Sequence, residues 1–218
     1  MLNQDYILLI FNCVKYRFKA LRQKDTWLKE LPDLKNKIIY YHVIGNPELE
    51  EEYLFDENER ILWLKVNDAY NALPTKVINA YNAVNKVYNF KYIFKTDDDQ
   101  NLIQNNFFKS IIKVLTSKKE KIHYGGYIVD VKTPYKSKYN TIHPELPTNL
   151  LVQQGKYCSG RFYLLSNEAI TALINKDNIF ELLSKEYLED YAVGYYLPAE
   201  FKQNIMFIDT NVYFKDFL

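Results

Sequence analysis

The stretch from Tyr92 to Asp99 reads YIFKTDDD, a short apolar run followed at once by three consecutive carboxylates. Aromatic and β-branched residues over this length are typical of a buried strand. Adjacent carboxylates repel one another, which raises their pKa values, and a bound divalent cation relieves that repulsion. Mg²⁺ and Mn²⁺ bind carboxylate oxygen and keep positions open for phosphate oxygen. The stretch therefore predicts a strand that ends in a cation site, and the alternative is an exposed acidic turn that caps the next helix.

Other apolar runs of strand length lie on both sides of this one. They are Tyr6 to Phe11, Ile38 to Ile44, Ile61 to Val66, Tyr124 to Val129, Arg161 to Leu165 and Ile205 to Ile208. Helical patterns separate them. The alternation predicts an α/β sandwich with a mostly parallel sheet, in which ligands bind outside the carboxyl ends of the strands.

Five segments have the spacing or the capping residues of helices. They run from about Arg17 to Glu30, from Pro74 to Tyr88, from about Asn106 to Leu115, onward from the N-cap candidate Ser166, and from about Ser184 to Leu197. In the second, Val77, Tyr81, Val84 and Tyr88 form one apolar stripe. Asp130 to Tyr157 breaks the rhythm with polar residues and three prolines, which predicts a long surface excursion.

Length and composition indicate one folded domain over residues 1–218. The chain has 48% hydrophobic and 25% charged residues, and with a net charge of +1 nothing in it resembles the concentrated basic face that binds nucleic acid. Two cysteines favour a reducing compartment. Tyr6 to Phe11 is too short for a membrane span or a signal-peptide core, so a cytoplasmic protein is expected.

A second acidic signal is the adjacent pair Glu189 and Asp190 inside the helical stretch LEDYAVG. Val193 and Leu197 share one face at helical spacing, which turns at least one of the two acids toward the core side. A carboxylate in a partly desolvated cleft is a candidate general base. The alternative is a surface acid pair on an amphipathic helix.

A third signal is the segment from Tyr157 to Ser166, YCSGRFYLLS, in which a turn of small residues leads into a strand. Gly160 allows the backbone to approach a ligand closely, although an ordinary loop-to-strand junction also fits. The three histidines have no partner at metal-ligand spacing. The chain also lacks a Gly-rich phosphate loop, a zinc-protease helix and a nucleophile elbow.

In this order and at these distances, the signals resemble the β1,3-glycosyltransferases of the galactosyltransferase/Fringe-like family, glycosyltransferase family 31. The matching pieces are Arg17, Arg22 and Thr26-Trp27; Val43-Ile44-Gly45 followed by Glu50 to Glu52; Asp68 to Lys76; Lys95 to Asp99; Tyr157 to Ser166; and Glu189, Asp190 and Gly194. The resemblance covers about residues 6 to 196. It implies a single-domain GT-A (Rossmann-like) fold and an inverting transfer from a UDP-sugar to a hydroxyl of a glycan or glycoprotein acceptor, giving a β1,3 linkage.

The resemblance also assigns the donor side of the site. Asp97 would face the nucleotide, with Asp98 and Gly160 in the same donor-binding set. Lys76 and Arg22 would neutralise the diphosphate or position the nucleoside.

By the same resemblance, Asp99 would hold a Mn²⁺ or Mg²⁺ ion that bridges the diphosphate, and Asp190 would take the proton from the acceptor hydroxyl. Many family members add a histidine metal ligand near the C-terminus, and this chain has no histidine after His143. We expect Asp216, at roughly the matching distance after Asp190, to replace it, which favours the harder ions. The family's usual membrane anchor and disulfides are also missing here, which suggests a cytosolic relative.

The segment around Gly160 departs from the family pattern at the next two positions. Arg161 stands where a small residue is usual and Phe162 where glycine is usual. Larger groups here are expected to reshape the sugar pocket, so that Phe162 and the 130–157 excursion, on the acceptor side, decide substrate identity.

Two other functions fit parts of the sequence. A nucleotidyltransferase also uses strand-end aspartates and a metal, but it usually carries a Gly-rich loop near the first strand, and Asn12 to Arg17 has no glycine. A non-catalytic glycan-binding module of the same fold would tolerate the missing histidine, but the presence of Asp99 and Asp190 argues against it.

Overall fold

In the computed structural model, which describes residues 1–34 and 37–217, an eight-stranded sheet is covered by helices on both faces. The strands are β1 (Leu2–Asn3), β2 (Tyr6–Phe11), β3 (Ile38–Gly45), β4 (Tyr53–Asp56), β5 (Ile61–Leu64), β6 (Tyr88–Asn89), β7 (Tyr92–Asp97), β8 (Gln100–Leu102), β9 (Tyr124–Val131), β10 (Tyr135–Lys136), β11 (Leu151–Val152), β12 (Gly155–Ser166), β13 (Met206–Phe207) and β14 (Phe214–Asp216). The α-helices are α1 (Arg17–Asp25), α2 (Leu73–Val87), α3 (Phe107–Ser117), α4 (Asn167–Ile174), α5 (Ile179–Ser184), α6 (Glu189–Tyr196) and α7 (Thr210–Tyr213).

The strands of the large sheet lie in the order β13-β9-β12-β7-β2-β3-β5-β4. β7, β2, β3 and β5 are parallel neighbours, whereas β12 runs antiparallel between β7 and β9, and β4 is an antiparallel edge strand. The predicted α/β fold with a mostly parallel sheet is confirmed. All six residues of β2 are buried, since helices cover both faces of a central parallel strand.

Two apolar cores lie on the two faces of the sheet. On one face, the predicted stripe of α2 is buried against β2, β3 and β5. On the other face, α3 buries Phe107, Phe108, Ile111, Ile112 and Leu115 beside Trp27. The helix after Ser166 also begins as predicted, since the Ser166 hydroxyl accepts a hydrogen bond from Ala169 N at 3.2 Å.

Two of the five predicted helices have wrong bounds. The first ends at Asp25, where the Thr26 hydroxyl donates to the Arg22 carbonyl at 2.7 Å and the chain continues as a 3₁₀ helix, Trp27–Leu34. The predicted helix from Ser184 to Leu197 begins later, as α6 at Glu189, because α5 ends at Ser184 and residues 185–188 separate the two helices. The edge strand β4 and the helix α5 were not predicted.

The predicted excursion is a two-stranded extension of the sheet capped by an irregular segment. β9 continues to Val131 and β12 begins at Gly155, and these ends pair with each other. Residues 132–154 connect them, with β10 and β11 paired and a 3₁₀ turn at Tyr139–Thr141. Among the described residues, no helix is both long enough and apolar enough to cross a membrane.

Candidate active site

The acidic triplet lies at the carboxyl edge of the parallel strands. Asp97 ends β7, and Asp98 N donates to the carbonyl of Phe11, the last residue of the neighbouring strand β2, at 3.1 Å. Polar side chains that follow β2 and β7 therefore meet at one edge, as the parallel topology requires.

The three carboxylates have different surroundings. Asp97 forms an ion pair with Lys95 at 2.7 Å, and Asp98 forms one with Lys19 at 3.3 Å. Burial raises the pKa of Asp98 to about 6, against the opposing effect of Lys19. Asp99 accepts from Gln100 Nε2 at 2.8 Å, and no lysine or arginine of the described residues pairs with it. Among the described residues, Asp99 is thus the acid of the triplet that forms no direct ion pair with a lysine or arginine.

Asp216 reaches the triplet through the C-terminal strand. β14 pairs antiparallel with β8, which sets Asp216 opposite Gln100. The amide nitrogen of Gln100 lies 2.8 Å from Asp99 Oδ1 and also 2.8 Å from Asp216 Oδ1. Asp216 further accepts two contacts from Arg161 Nη2, at 2.9 and 3.2 Å.

Asp99 and Asp216 can supply part of the ligand set that a hard divalent cation needs. Asp99 and Asp216 present oxygen atoms to one small group, the amide that now lies between them. The described residues contain no group of three or more His, Cys, Asp or Glu that could hold a metal ion. An ion bound here would take its other ligands from phosphate and water, and Arg161 would compete with it for Asp216.

Two buried amide atoms at this edge have no hydrogen-bond partner. They are Nδ2 of Asn12, which directly follows β2, and Oε1 of Gln100. Buried polar atoms in native proteins are nearly always paired, and exceptions mark a missing water, ion or ligand. Gln100 directly follows the triplet and Asn12 directly follows Phe11, whose carbonyl accepts from Asp98 N, which fits a site that receives a polar ligand.

Lys95 joins three elements beneath this edge. Its fully buried ammonium lies 2.7 Å from Asp97, 2.9 Å from Glu189 and 2.9 Å from the carbonyl of Gly160. Burial alone would lower the pKa of Lys95, but the two carboxylates outweigh it and the pKa is raised. Sequence reasoning missed this network, although a lysine inside an otherwise apolar buried strand was its visible signal.

Asp190 is held by the backbone. Its Oδ2 accepts from Gly160 N at 2.9 Å and its Oδ1 accepts from Tyr191 N at 2.7 Å. Burial, and after it the neighbouring Glu189 carboxylate, raise the pKa of Asp190 to about 6, while Lys95 and the two N–H groups oppose the shift. A half-buried carboxylate with this pKa is suited to accept a proton near neutral pH.

Glu189 is the acid of the pair that faces the core, as the helical spacing predicted. It pairs with Lys95, and the Tyr163 hydroxyl donates to it. Tyr163 in turn lies 2.7 Å from the Tyr81 hydroxyl. Every buried polar atom of this group has a partner, so α6 is fixed against β7 and β12 and Asp190 is fixed with it.

Gly160 lies between Lys95 and Asp190. A Cβ atom added there would lie 3.3 Å from Lys95 Nζ and 3.6 Å from Asp190 Oδ2. The close approach that the sequence predicted is therefore to side chains of the site itself. A contact of Gly160 with the donor remains a prediction.

The two predicted phosphate-binding cations have defined partners. Lys76 is 2% exposed, and its ammonium bonds Asp68 Oδ1 at 2.6 Å and the Asn12 carbonyl at 3.0 Å. It fixes the loops after β2 and β5 and presents little charge to solvent. The Arg22 guanidinium lies 4.2 Å from the ring centroid of Phe217, whose N–H donates to the Asp99 carbonyl at 2.6 Å. Arg22 therefore stands beside the triplet.

The expectation that Phe162 reshapes the sugar pocket is wrong. Phe162 is fully buried in the core beneath the triplet, with its ring centroid 4.9 Å from that of Phe107 and 5.4 Å from that of Phe214. The alternation of side chains along β12 sends Phe162 inward and leaves Arg161 at the site. Arg161 and Asp216, the two unusual polar residues, contact each other directly.

The fold places the strand-end acids at one edge of the sheet, and a match to the galactosyltransferase family model identifies the chain as a glycosyltransferase. A crystal structure of a glycosyltransferase involved in glycosylation of the major capsid of PBCV-1 is similar over 94% of this chain and 81% of that one, with a TM-score of 0.53 and 13% identity. The catalytic domain of Drosophila beta1,4galactosyltransferase 7, solved with xylobiose, aligns over 99% of this chain and 71% of that one, with a TM-score of 0.46 and 12% identity.

The family model described as Galactosyltransferase matches residues 17–206, and the chain belongs to this family. The search of curated proteins gave no match.

Proposed function

We propose that this protein transfers a sugar from a UDP-sugar to a hydroxyl of a glycan or glycoprotein acceptor, with inversion, with the help of Mn²⁺ or Mg²⁺, and with formation of a β1,3 linkage. The observation that carries the proposal is that two carboxylates with different surroundings, Asp99 and Asp190, lie at one edge of the sheet. Asp99 forms no direct ion pair with a lysine or arginine of the described residues and adjoins Asp216, whereas Asp190 is held by two backbone N–H groups and has a raised pKa.

In the proposed reaction, Asp190 accepts the proton of the acceptor hydroxyl. The hydroxyl oxygen forms a bond to the anomeric carbon, and the bond from that carbon to the diphosphate oxygen breaks. UDP leaves with the bonding electrons. Attack from the side opposite the leaving group converts an α-linked donor into a β-linked product.

The residues of the triplet serve the leaving group in this proposal. Asp97, Asp98 and Gly160 border the donor, and Arg22 supplies positive charge beside it. A divalent cation held by Asp99, with Asp216 as a second ligand, would offset the charge that develops on the diphosphate. Lys76 supports the donor side by fixing its loops.

The network around Lys95 holds the donor side of the site and the side that carries Asp190 in fixed relative positions. Asp97 on the donor side and Glu189, next to Asp190, bind the same ammonium. A proton acceptor must be within hydrogen-bond reach of the proton that it takes, so a rigid link between the two sides favours the reaction. A cytoplasmic location belongs to the same proposal, and it is supported by the two cysteines, which are free thiols in the structure.

Turnover of a panel of UDP-sugars by the purified protein tests the proposal. Release of UDP with one of them, and a loss of about 100-fold or more in kcat for Asp190→Asn, is expected because removal of a general base typically costs 10²–10⁴-fold. Asp177→Asn, an exposed aspartate between α4 and α5, is the control and keeps wild-type kcat. Wild-type kcat in Asp190→Asn would reject Asp190 as the base.

A second experiment tests the role given to Asp216. We expect Asp216→Ala to raise the Mn²⁺ concentration needed for half-maximal UDP binding, because one of two carboxylate oxygen ligands is lost. Arg161→Ala is the matched variant, since it frees Asp216 from its competitor and is expected to lower that concentration. An unchanged Mn²⁺ requirement in Asp216→Ala would remove Asp216 from the metal site.

A further inference from the structure

The excursion between β9 and β12 crosses over the carboxyl edge of the sheet. β9 runs parallel to β7 and β12 runs antiparallel to it, so residues 132–154 leave and re-enter the sheet at the edge that carries the triplet. His143 in this excursion stacks on Tyr70, with the ring centroids 3.9 Å apart and the planes within 6°. In the chain, Tyr70 lies between β5 and α2. In the sheet, four strands separate β9 from β5, namely β12, β7, β2 and β3. The excursion therefore forms an arch above Asp97 and Asp190.

The arch presents a row of parallel aromatic rings. Tyr139 also stacks on His143, with a centroid distance of 5.9 Å and an interplanar angle of 8°. The space between Tyr70 and His143 is filled by their contact, whereas Tyr139 remains 48% exposed. Tyr139 is therefore the most exposed ring of the row, at 48% against 37% for Tyr70.

The tyrosine hydroxyls of this region lie within electrostatic reach of the proposed base. Burial raises the pKa of Tyr139 and of Tyr157, and the charge of Asp190 is the next largest cause in each case. Asp190 also contributes to the raised pKa of Tyr70, after burial, Tyr139 and Asp97. Three tyrosines from three parts of the chain therefore lie close enough to Asp190 to interact with its charge.

We propose that Tyr70, Tyr139 and Tyr157 form the acceptor subsite, and that it binds a saccharide whose pyranose ring packs on the exposed face of Tyr139. The inference rests on the proposed function, because it takes Asp190 as the base toward which the acceptor hydroxyl points. A pyranose has an apolar C–H face and a rim of hydroxyls, which matches a flat ring with a polar tip. A peptide acceptor fits less well, because β10 and β11 are two residues each and offer too short an edge for strand addition.

Saturation-transfer-difference NMR with a panel of methyl β-pyranosides tests this subsite, with and without UDP and Mn²⁺. The measurement does not depend on turnover. We expect signals from the C–H protons of at least one pyranoside on the wild type. We expect a dissociation constant about tenfold higher in Tyr139→Ala, the equivalent of about 1.4 kcal/mol, and a constant within about twofold of wild type in Tyr139→Phe, which keeps the ring.

Phe180→Ala is the matched control, since Phe180 is a partly exposed ring on α5, which packs against α2 and α4. It is expected to bind the pyranoside as the wild type does. Circular dichroism of Tyr139→Ala checks that the variant is folded. Equal pyranoside binding by Tyr139→Ala and the wild type, or binding and glycosylation of Ser/Thr peptides with no pyranoside binding, would overturn the inference. Failure of the wild type to bind UDP or to turn over any UDP-sugar would instead reject the proposed function.

Discussion

Asp190 acquires its chemical character from what folding places around it. The charged groups near it are Glu189 on its own helix and Lys95 on β7, and the neutral hydroxyls of Tyr70, Tyr139 and Tyr157 also interact with its charge. Two N–H groups hold its oxygens in place without neutralising it. An aspartate that would otherwise lose its proton near pH 4 is thereby shifted toward neutrality.

The pH dependence of turnover follows from this shift. The proposed reaction needs the carboxylate form of Asp190, so kcat/KM should rise with pH and level off above about 6, the pKa of Asp190 in the free protein. Below that pH it should fall about tenfold per pH unit, as the proton occupies the base. Initial rates at saturating metal over pH 4.5–8 measure the profile. A profile that is flat, or that falls as pH rises through 6, would contradict the assignment.

Substitution of Lys95 tests how much the buried ion-pair network contributes to the unfolding free energy. Lys95→Met leaves Glu189 and Asp97 without their counter-charge, and Glu189 is almost completely buried. Breaking a buried pair on one side typically costs about 3–5 kcal/mol of unfolding free energy. Urea denaturation measures the loss. Lys121→Met, which breaks the exposed pair with Glu168, is the control and should cost less than about 1 kcal/mol. Equal losses of unfolding free energy in the two variants would mean that the buried network stabilises the fold no more than an exposed ion pair does.

The sequence predicted the acids of the site but not their partners. Asp97, Asp98, Asp99 and Asp190 could be found because each follows or interrupts an apolar pattern. The bonds from Lys95 to Glu189 and from Asp216 to Arg161 join residues far apart in the chain, and only strand order brings them together. The position of Phe162 was predicted wrongly because the residue pattern of a strand does not show which of its two faces packs against the core.

At the scale of elements, the contact between α6 and β12 sets the position of the base. Gly194 of α6 packs on Tyr157 of β12, and a Cβ added at Gly194 would lie 2.3 Å from Tyr157 Cβ and 2.9 Å from its Cα. Because the Cα of a strand cannot turn away as a side-chain tip can, helix and strand would have to separate. Gly194 is therefore a packing residue of the site.

We expect Gly194→Ala to lower the unfolding free energy by roughly 1–3 kcal/mol, the usual cost of overpacking. It should also lower kcat, since the shift moves Asp190 relative to Gly160. Urea denaturation and initial rates measure the two effects. Ala192→Gly, on the same helix, is the comparison: it removes a methyl group without overpacking, so it should affect stability more than kcat. A Gly194→Ala variant with wild-type stability and kcat would show that the packing tolerates a methyl group.

Helix existence was easier to predict than helix ends. The stripes of α2 and α3 repeat over three or four turns, so each could be assigned from spacing alone. The break at residues 185–188 carries no proline or glycine, and the end of α1 at Asp25 depends on a hydrogen bond from Thr26. Such local competition between backbone states leaves little trace in the residue pattern.

At the scale of the whole molecule, strand order places the proposed donor and acceptor sides of the site next to each other. The loops after β2, β3 and β5 lie on one side of the triplet, β12 and β9 lie on the other, and the arch connects the two sides by its contact with Tyr70. The parallel half of the sheet could be predicted from the alternation of strands and helices. The antiparallel insertion of β12 between β7 and β9 could not be predicted, because the residue pattern of an apolar strand does not show whether it runs parallel or antiparallel to its neighbours.

Thermal unfolding with UDP, with and without Mn²⁺, tests the central claim most directly. A ligand at about 100 times its dissociation constant stabilises the folded state by roughly 2.7 kcal/mol, which for this chain length raises Tm by very roughly 5–10 °C. The account predicts that the wild type and Asp177→Asn show this rise only when UDP and Mn²⁺ are both present, and that Asp99→Ala does not. No rise in the wild type, or an equal rise in Asp99→Ala, would contradict it.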